Sequence, residues 1–282
     1  SAELEKRRIK ISQWNTAHPH AKRGLAITPV KFGISFTVTH LNQAGALVLI
    51  YQDGTVQVNH GGTEMGQGVH TNMVMIAAKE LGVPLANIRI MPTSTDKVPN
   101  TSATAASCGT DLNGAAVKNA CEILRARLVL VAADVSRLKL KGSQSRLTSA
   151  ATDFEFADGF VFHRAFPETK LLFVEVVQRA YQQRVSLSTT GFYATPDIHW
   201  DRAAGRGKPF HYFACGAAVT EVEVDGFTGM HRVLRVDILH DVGDSINEGI
   251  NRGQIEGGFI QGMGWLTTEE LKWDDQGRLL TH

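Results

Sequence analysis

The sequence has 282 residues, which suggests about two domains; 43% of the residues are hydrophobic and 20% are charged. This composition is typical of a globular protein and excludes a disordered chain or a fibre. The 29 basic and 28 acidic side chains leave a formal net charge of +1, and no basic run suggests binding to nucleic acid.

The sequence indicates neither a membrane span nor an oxidising compartment. The longest apolar runs, 46–51 and 128–133, are far shorter than the roughly 20 residues that cross a bilayer. Cys108, Cys121 and Cys215 are widely spaced and form no CxxC pair, which argues against a disulfide framework or a structural zinc site. We therefore expect a cytoplasmic protein with no membrane partner and no nucleic-acid partner.

The first half of the chain shows a clear order of elements. Residues 1–25 are polar and are interpreted as a lead-in or linker. Alternating apolar residues on both sides of a turn predict a β-hairpin over 45–58. A glycine-rich stretch at 61–68 leads into a helix predicted over 69–81. A short strand is predicted over 88–91, then a polar loop over 92–109, then a helix from Asp111, the candidate N-cap, to about residue 134.

The second half is predicted to repeat this outline. A hairpin is predicted over 153–163 and a helix over 171–184. Strands at 213–224 and 233–240 flank a turn, and an apolar helix that contains several glycines follows over about 254–266. Two units of hairpin, glycine-rich turn and helix predict a duplicated α+β architecture. We assign residues 26–150 to the first α+β subdomain and residues 151–282 to the second, which we expect to be truncated at its C-terminus.

Three segments are candidates for binding a ligand. In the 61–68 stretch, glycines allow a ligand close to the backbone, and the helix that follows offers free N–H groups to an anion. Residues 100–109 place hydroxyls and small side chains ahead of a helix N-terminus, where they can surround a phosphate. Residues 254–264 carry glycines that permit close packing. Taken singly, these segments are more simply explained as a tight turn, a solvated loop and the packing of a helix on a sheet.

Common catalytic motifs give no further candidate. The sequence contains no Rossmann fingerprint, P-loop, HExxH or GxSxG motif. His60 and His70 flank the glycine-rich stretch without forming a set of metal ligands, and the adjacent Glu269 and Glu270 are interpreted as surface residues.

Taken together, the segments are far more specific than any one of them. The chain closely resembles the xanthine dehydrogenase/oxidase family in the segments KFGISFT (31–37), LNQAGA (41–46), GGTEMGQG (61–68), VPNTS (98–102), TAAS (104–107), DLNG (111–114), STTGFY (188–193) and PFHYF (209–213), and in the run 241–262. The match covers nearly the whole chain in order and weakens only across about 135–170. The part that it resembles is the C-terminal half of the molybdenum-binding subunit.

The resemblance implies a molybdopterin-type molybdenum cofactor, held between several α+β subdomains without a protein ligand to the metal. The family's cofactor-binding positions correspond here to Gly66, Gln67, Gly68, Thr104, Ala105, Ala106, Ser107 and Gln254. Ala106 matches a small residue that packs beside the metal. Gly109 is a departure, because relatives can carry a serine there that donates to the phosphate; a backbone N–H could replace that donor.

The resemblance also places Phe36 and Thr37 on the substrate side of the pocket. A phenyl ring can hold a flat heterocycle edge-to-face, and a threonine hydroxyl can hydrogen-bond a ring nitrogen or oxygen. The Ser-Phe-Thr pattern is more similar to the purine oxidisers than to the aldehyde oxidases. His40 stands where relatives often have an aromatic residue.

The implied reaction is the oxidation of hypoxanthine to xanthine and of xanthine to urate, with water as the oxygen source. Electrons leave through 2Fe-2S clusters and FAD on other domains or subunits, so the implied partners are the rest of the molybdenum subunit, the iron–sulfur/FAD subunit and a purine. The family's catalytic glutamate belongs to a Gly-Glu-Pro-Pro motif that these residues lack. We therefore expect a fragment that contains no catalytic base and is inactive alone. The alternatives are an aldehyde oxidase-type hydroxylase and a non-catalytic module that binds an anion or a partner.

Overall fold

A computed structural model describes residues 3–97, 101–139 and 153–281. The helices are α1 (Leu4–Ala17), α2 (Val69–Leu81), α3 (Gly109–Lys139), α4 (Phe173–Gln182) and α5 (Glu248–Thr267). The strands are β1 (Ala21–Ile34), β2 (Gln43–Ile50), β3 (Val56–His60), β4 (Ile88–Ile90), β5 (Phe154–Ala157), β6 (Phe160–His163), β7 (Phe166–Leu172), β8 (Ser188–Ala194), β9 (His199–Asp201), β10 (Arg206–Lys208), β11 (Tyr212–Asp225) and β12 (His231–His240). This mixture of helices and mostly antiparallel sheets confirms the predicted α+β class.

The chain divides into two compact units. The first unit consists of the described residues of Ser1–Ile34, Tyr212–Ser245 and Asn251–His282. Its sheet has the antiparallel order β1-β11-β12, and β1 pairs with β11 along its whole length. The predicted strands at 213–224 and 233–240 are confirmed as β11 and β12.

The predicted lead-in at 1–25 instead forms α1 and the start of β1. Apolar periodicity could not reveal α1, because the residue that it buries is Arg7. Arg7 Nε donates to Glu221 Oε2 over 2.9 Å, and Arg7 Nη1 donates to Asp237 Oδ2 over 2.7 Å. The helix is therefore held on the sheet of its unit by paired charges rather than by an apolar face.

The second unit consists of the described residues of Ser35–His211 together with Ile246–Ile250. Its main sheet has the order β4-β3-β2-β8, in which β3 and β4 are parallel and the other pairs are antiparallel. The predicted hairpin is confirmed as β2 and β3, with Val48 opposite Val58 and both fully buried. The predicted helix over 69–81 is confirmed as α2, which ends at the left-handed Gly82.

Several boundaries differ from the predicted ones. α3 begins at Gly109, so Asp111 lies in the first turn of the helix rather than at its N-cap. The hairpin over 153–163 is confirmed as β5 and β6, and β7 extends it into a three-stranded sheet that ends where α4 begins. The chain also does not divide into its two compact units at residues 150 and 151, where the sequence analysis placed the boundary. β8 pairs with β2, and β1 pairs with β11, so each sheet joins strands that are far apart in the sequence.

Among the described residues, no helix combines the length and the apolar character that a membrane span requires.

Within the second unit, α3 crosses β8 at Gly191. A Cβ atom at this position would overlap Ala116 O and lie 2.6 Å from Ala120 N, both in the backbone of α3. The side chain of Asn119 on α3 also accepts the N–H of Phe192 over 3.2 Å. The helix that begins at Gly109 is thus fixed on the sheet by direct backbone contact.

We expect Gly191→Ala to lower the free energy of unfolding by about 2–3 kcal/mol, because α3 would have to move away from β8. Gly253→Ala on α5 is the control, since a Cβ atom there meets open space and alanine favours a helix by about 0.5–1 kcal/mol. Urea denaturation measures both changes. Equal stability of Gly191→Ala and the unchanged protein would contradict the close contact.

Candidate functional site

The Phe36 loop, defined as residues 35–42, carries the two candidate substrate residues and is closed by one buried side chain. Asn42 Oδ1 accepts the N–H of Phe36 over 2.7 Å, and Asn42 Nδ2 donates to Phe36 O over 2.9 Å. Ser35 is buried and adopts a φ of +143°, which residues with a side chain rarely do. Phe36 is half-buried and Thr37 is exposed, so the loop presents a ring and a hydroxyl at the surface of its unit.

The glycine loop, defined as residues 61–68, holds the side chain of Gln67 in a fixed orientation. Gln67 Oε1 accepts the N–H of Met65 over 2.6 Å, and Gln67 Nε2 donates to Thr63 O over 2.7 Å. An amide nitrogen carries two N–H bonds, so Nε2 has a second one to offer. The geometry suits Gln67 as a hydrogen-bond donor to a ligand.

The N-terminus of α2 is occupied by a carboxylate of the chain itself. Glu64 accepts the N–H groups of Gly66, Gly68 and His70, each over 2.9 Å. Partial burial of the Glu64 carboxyl by itself would raise its pKa. The hydrogen bonds from the N–H groups of His70, Gly68 and Gly66 outweigh burial, with help from the charge of His70. The pKa of Glu64 is therefore below its ordinary value. Glu64 therefore already places a negative charge of the chain itself at this helix start, where it accepts the N–H of His70, and the binding of an external anion here stays a prediction.

The serine–threonine loop, defined as residues 101–108, leads into α3 through a strained backbone. Ala106 and Ser107 have φ values of +54° and +56°. The left-handed conformation costs roughly 1–2 kcal/mol for a residue with a Cβ atom. Strain of this kind persists where the surrounding structure imposes it, and it concentrates at ligand sites.

Cys108 follows this strained segment. Burial, and then the nearby Asp111, raise the pKa of its thiol to about 11, so the thiol is unreactive at neutral pH.

The glycine loop and the serine–threonine loop touch each other. The N–H of Thr63 donates to Thr104 Oγ1 over 2.8 Å. A Cβ atom at Gly61 would overlap Thr101 Cγ2 and lie 2.7 Å from Thr101 Cβ. Two segments that are remote in the sequence thus form one continuous surface, and only glycine at position 61 permits the contact.

The Phe36 loop joins the same surface through Ser102, whose Oγ donates over 3.2 Å to the carbonyl of Gln43, the residue that follows this loop. These contacts link the three loops within the second unit, which contains the predicted site residues Phe36, Thr37, Gly66, Gln67, Gly68, Thr104, Ala105, Ala106 and Ser107. Gln254 belongs to the first unit, where it lies exposed on α5, and its role as a cofactor residue stays a prediction.

A buried histidine supports the glycine loop. His60 ends β3 and is 1% exposed. The N–H of Gly62 donates to His60 Nδ1 over 3.1 Å, which assigns the proton of His60 to Nε2, and this atom lies 2.9 Å from His70 Nδ1. Burial, and then the neighbouring His70, lower the pKa of His60 to about 4. His60 is therefore neutral at pH 7 and able to accept the N–H of Gly62.

The sequence analysis did not identify Asn42, Glu64 or the supporting role of His60. Asn42 precedes a predicted strand, and an asparagine at such a point commonly bonds to the backbone of a turn. Glu64 lies four residues before the N-cap Gly68, whereas a capping box places its glutamate three residues after the N-cap. The usual capping signal therefore did not apply to Glu64.

The surface offers hydrogen-bond donors rather than metal ligands. Within the part of the chain that the structure describes, His, Cys, Asp and Glu side chains form no group of three that could hold a metal ion. The three loops contribute backbone N–H groups, hydroxyls, the Gln67 amide and small side chains. This donor set fits a group that carries its own metal ligands and presents a phosphate and a polar ring system to the protein.

Comparison with known proteins identifies the family. The model of the molybdopterin cofactor-binding domain matches residues 1–282. The chain belongs to this family. The xanthine dehydrogenase/oxidase of Gallus gallus is 44% identical over 281 residues, and the xanthine dehydrogenase of Oryza sativa subsp. japonica is 47% identical over 268 residues. These alignments cover 100% and 95% of this chain but 18% and 17% of those proteins, so the chain spans less than a fifth of their length. The resemblance noted in the sequence is confirmed.

Solved structures confirm the fold type. Quinoline 2-oxidoreductase from Pseudomonas putida 86 matches with a TM-score of 0.82 and 26% identity, over 99% of this chain and 34% of that chain. The reconstituted CO dehydrogenase from Oligotropha carboxidovorans matches with a TM-score of 0.80 and 22% identity, over 98% of this chain and 33% of that chain, and shows the fold alone.

The pKa of His60 predicts a loss of stability in acid. The unfolded imidazole takes up a proton near pH 6.5, whereas the folded one does so only near pH 4. The stabilisation is therefore complete above pH 6.5 and is lost as the pH falls to 4, by about 3 kcal/mol in total. Urea denaturation over this pH range should show a smaller loss for His60→Gln than for the unchanged protein. His231→Gln, which changes an exposed histidine, should keep the full loss. An equal pH dependence of the unchanged protein and His60→Gln would contradict the assignment.

Proposed function

We propose that this chain is part of the molybdenum-binding subunit of a xanthine dehydrogenase-type hydroxylase, which oxidises hypoxanthine to xanthine and xanthine to urate with water as the oxygen source. The observation that carries the proposal is the single surface formed by the Phe36 loop, the glycine loop and the serine–threonine loop. The identities of 44% and 47% to xanthine dehydrogenases support the purine substrate. No feature of the surface favours the aldehyde oxidase-type alternative or the non-catalytic module.

In this proposal the glycine loop and the serine–threonine loop hold molybdopterin. Gln67 Nε2 donates its second N–H to the cofactor, and the Ser107 hydroxyl and the backbone at the start of α3 receive its phosphate. The small side chains of Ala105 and Ala106 leave room beside the metal, and Gln254 is a further predicted cofactor residue. When bound, the cofactor supplies the redox chemistry of hydroxylation, and this chain supplies binding and orientation.

Phe36 and Thr37 orient the substrate. The ring of Phe36 packs against a flat purine, which adds about 0.5–1.5 kcal/mol beyond burial. Thr37 offers a hydroxyl to a ring nitrogen or oxygen of the purine. Asn42 keeps both residues in place because its side chain bonds to the N–H and the carbonyl of Phe36.

The proposed partners follow from the length of the relatives. This chain spans 18% of the Gallus gallus protein, so the rest of the molybdenum subunit completes the cofactor site and supplies the catalytic base. 2Fe-2S clusters and FAD on other domains or subunits remove the electrons. We place the enzyme in purine catabolism and in the cytoplasm, the latter in keeping with its unpaired cysteines.

The experiment that tests the substrate class uses the full-length protein that contains this chain. We expect bound molybdenum and pterin, together with faster oxidation of hypoxanthine than of an aromatic aldehyde. Faster oxidation of the aldehyde would support the aldehyde oxidase-type alternative, and a protein without molybdenum or pterin would support a non-catalytic module.

Gln67→Ala in the same protein should weaken retention of the cofactor by about tenfold, because one hydrogen bond to a polar group of the ligand is lost. Molybdenum content, measured after extensive dialysis, reports the change. Gln52→Ala, which changes an exposed glutamine in the same unit, should leave the molybdenum content unchanged. Full molybdenum content in Gln67→Ala would mean that Gln67 serves only the structure of the glycine loop.

A further inference from the structure

Glu64 is a charged side chain that links the glycine loop to the first turn of α2. Its Oε1 accepts the N–H groups of Gly66 and Gly68, and its Oε2 accepts the N–H of His70, each over 2.9 Å. Hydrogen bonds to an ionised carboxylate are roughly twice as strong as neutral ones, and a negative charge is favoured at a helix N-terminus. Both oxygens of the carboxylate are therefore committed to the backbone of this one segment.

We propose that Glu64 is a positioning residue, whose carboxylate fixes the direction of the Gln67 amide toward the cofactor. The proposal rests on the proposed function, since it deepens the role given to Gln67.

The backbone on both sides of Gln67 is bound to Glu64. Gly66 and Gly68 have φ values of +99° and +78°, so the loop reverses direction at each of them. Each N–H that Glu64 accepts comes from one of these two glycines or from the helix that follows them. The Cα atom of Gln67 is therefore held from both sides before its side chain bonds to Met65 and Thr63.

A second contact within the same unit, between Gly68 and Ile250, restricts the glycine loop. A Cβ atom at Gly68 would lie 2.7 Å from Ile250 Cδ1, so the Ile250 side chain rests directly against this glycine. Movement of Gly68 toward Ile250 would cause steric overlap, and movement away from Glu64 would break the hydrogen bond of its N–H. The glycine loop is held in one conformation, and this is what a residue needs if it is to present a single N–H to a ligand.

Glu64 also makes the two helix starts unequal. At α2, the carboxylate accepts the N–H of His70 and repels a second negative charge. At α3, the serine–threonine loop brings hydroxyls and the strained Ala106 and Ser107 to the helix start. We therefore expect the anionic end of a ligand to be less favoured at α2 than at α3.

Hydrogen exchange of the full-length protein, prepared without the cofactor, tests the positioning of the loop. Glu64→Ala should speed exchange of the amides of Gly66, Gly68 and His70 by at least about tenfold, the change equivalent to losing a hydrogen bond to a charged group. Added formate should restore the protection, because a small carboxylate can bind the vacated N–H groups, whereas chloride at equal ionic strength should not. Unchanged exchange in Glu64→Ala, or equal restoration by both salts, would overturn the proposal.

Two further variants keep the experiment interpretable. Glu64→Gln retains one acceptor oxygen, so it should protect either the two glycine amides or the His70 amide but not both, and it serves if Glu64→Ala does not fold. Glu175→Gln is the matched control, because Glu175 caps α4 in the same unit by accepting the N–H of Leu172 over 3.2 Å. It should speed exchange near residue 172 and leave residues 66–70 unchanged.

Pterin content separates this proposal from the one on which it rests. We expect the unchanged protein and Glu175→Gln to retain equal amounts of pterin, and Glu64→Ala to retain less, with recovery when formate is present. Equal pterin in Glu64→Ala and the unchanged protein would overturn the positioning role alone. If the protein without a substitution binds no pterin, the proposed function is wrong. The exchange experiment would still show whether Glu64 holds the glycine loop in place.

Discussion

The candidate site depends on the absence of a Cβ atom at Gly61. Thr101 occupies the space in which a Cβ atom of residue 61 would lie, and this close approach lets the N–H of Thr63 reach Thr104 Oγ1. Any larger residue at position 61 would separate the two loops. The glycine-rich composition of residues 61–68 is thus explained at this position by packing of one loop on another, as well as by access for a ligand.

The elements behind the loops keep this surface rigid. His60 stays neutral because it is buried, so it can accept the N–H of Gly62. α3 is fixed on β8 by backbone contact at Gly191, and this packing holds the helix whose start carries the left-handed Ala106 and Ser107. A flexible loop would relax out of that conformation. The core of the unit therefore maintains the strain at its surface, which is the arrangement expected of a preorganised binding site.

Local patterns predicted the elements well and the pairing between them poorly. The hairpin of β2 and β3 and the helix α2 follow from alternation, helical periodicity and Gly82, all of which act over a few residues. α1 was missed because it docks through Arg7, and the interleaving of the two expected units along the chain was not foreseen, because β1 pairs with β11 across most of the chain. For the site, the resemblance identified Gln67 and the serine–threonine loop. The usual capping signal could not identify Glu64, because its role depends on where the backbone turns back toward it, whereas an asparagine ahead of a strand was an available signal for Asn42.

The central claim is that the glycine loop and the serine–threonine loop form one wall of a molybdopterin site. The most direct measurement is a crystal structure of the full-length protein with an anomalous difference map recorded at the molybdenum absorption edge. The account predicts a molybdenum peak next to the wall, with the pterin in contact with Gln67 and the phosphate at the start of α3. A molybdenum peak remote from both loops, with these loops facing solvent or another part of the protein, would contradict it.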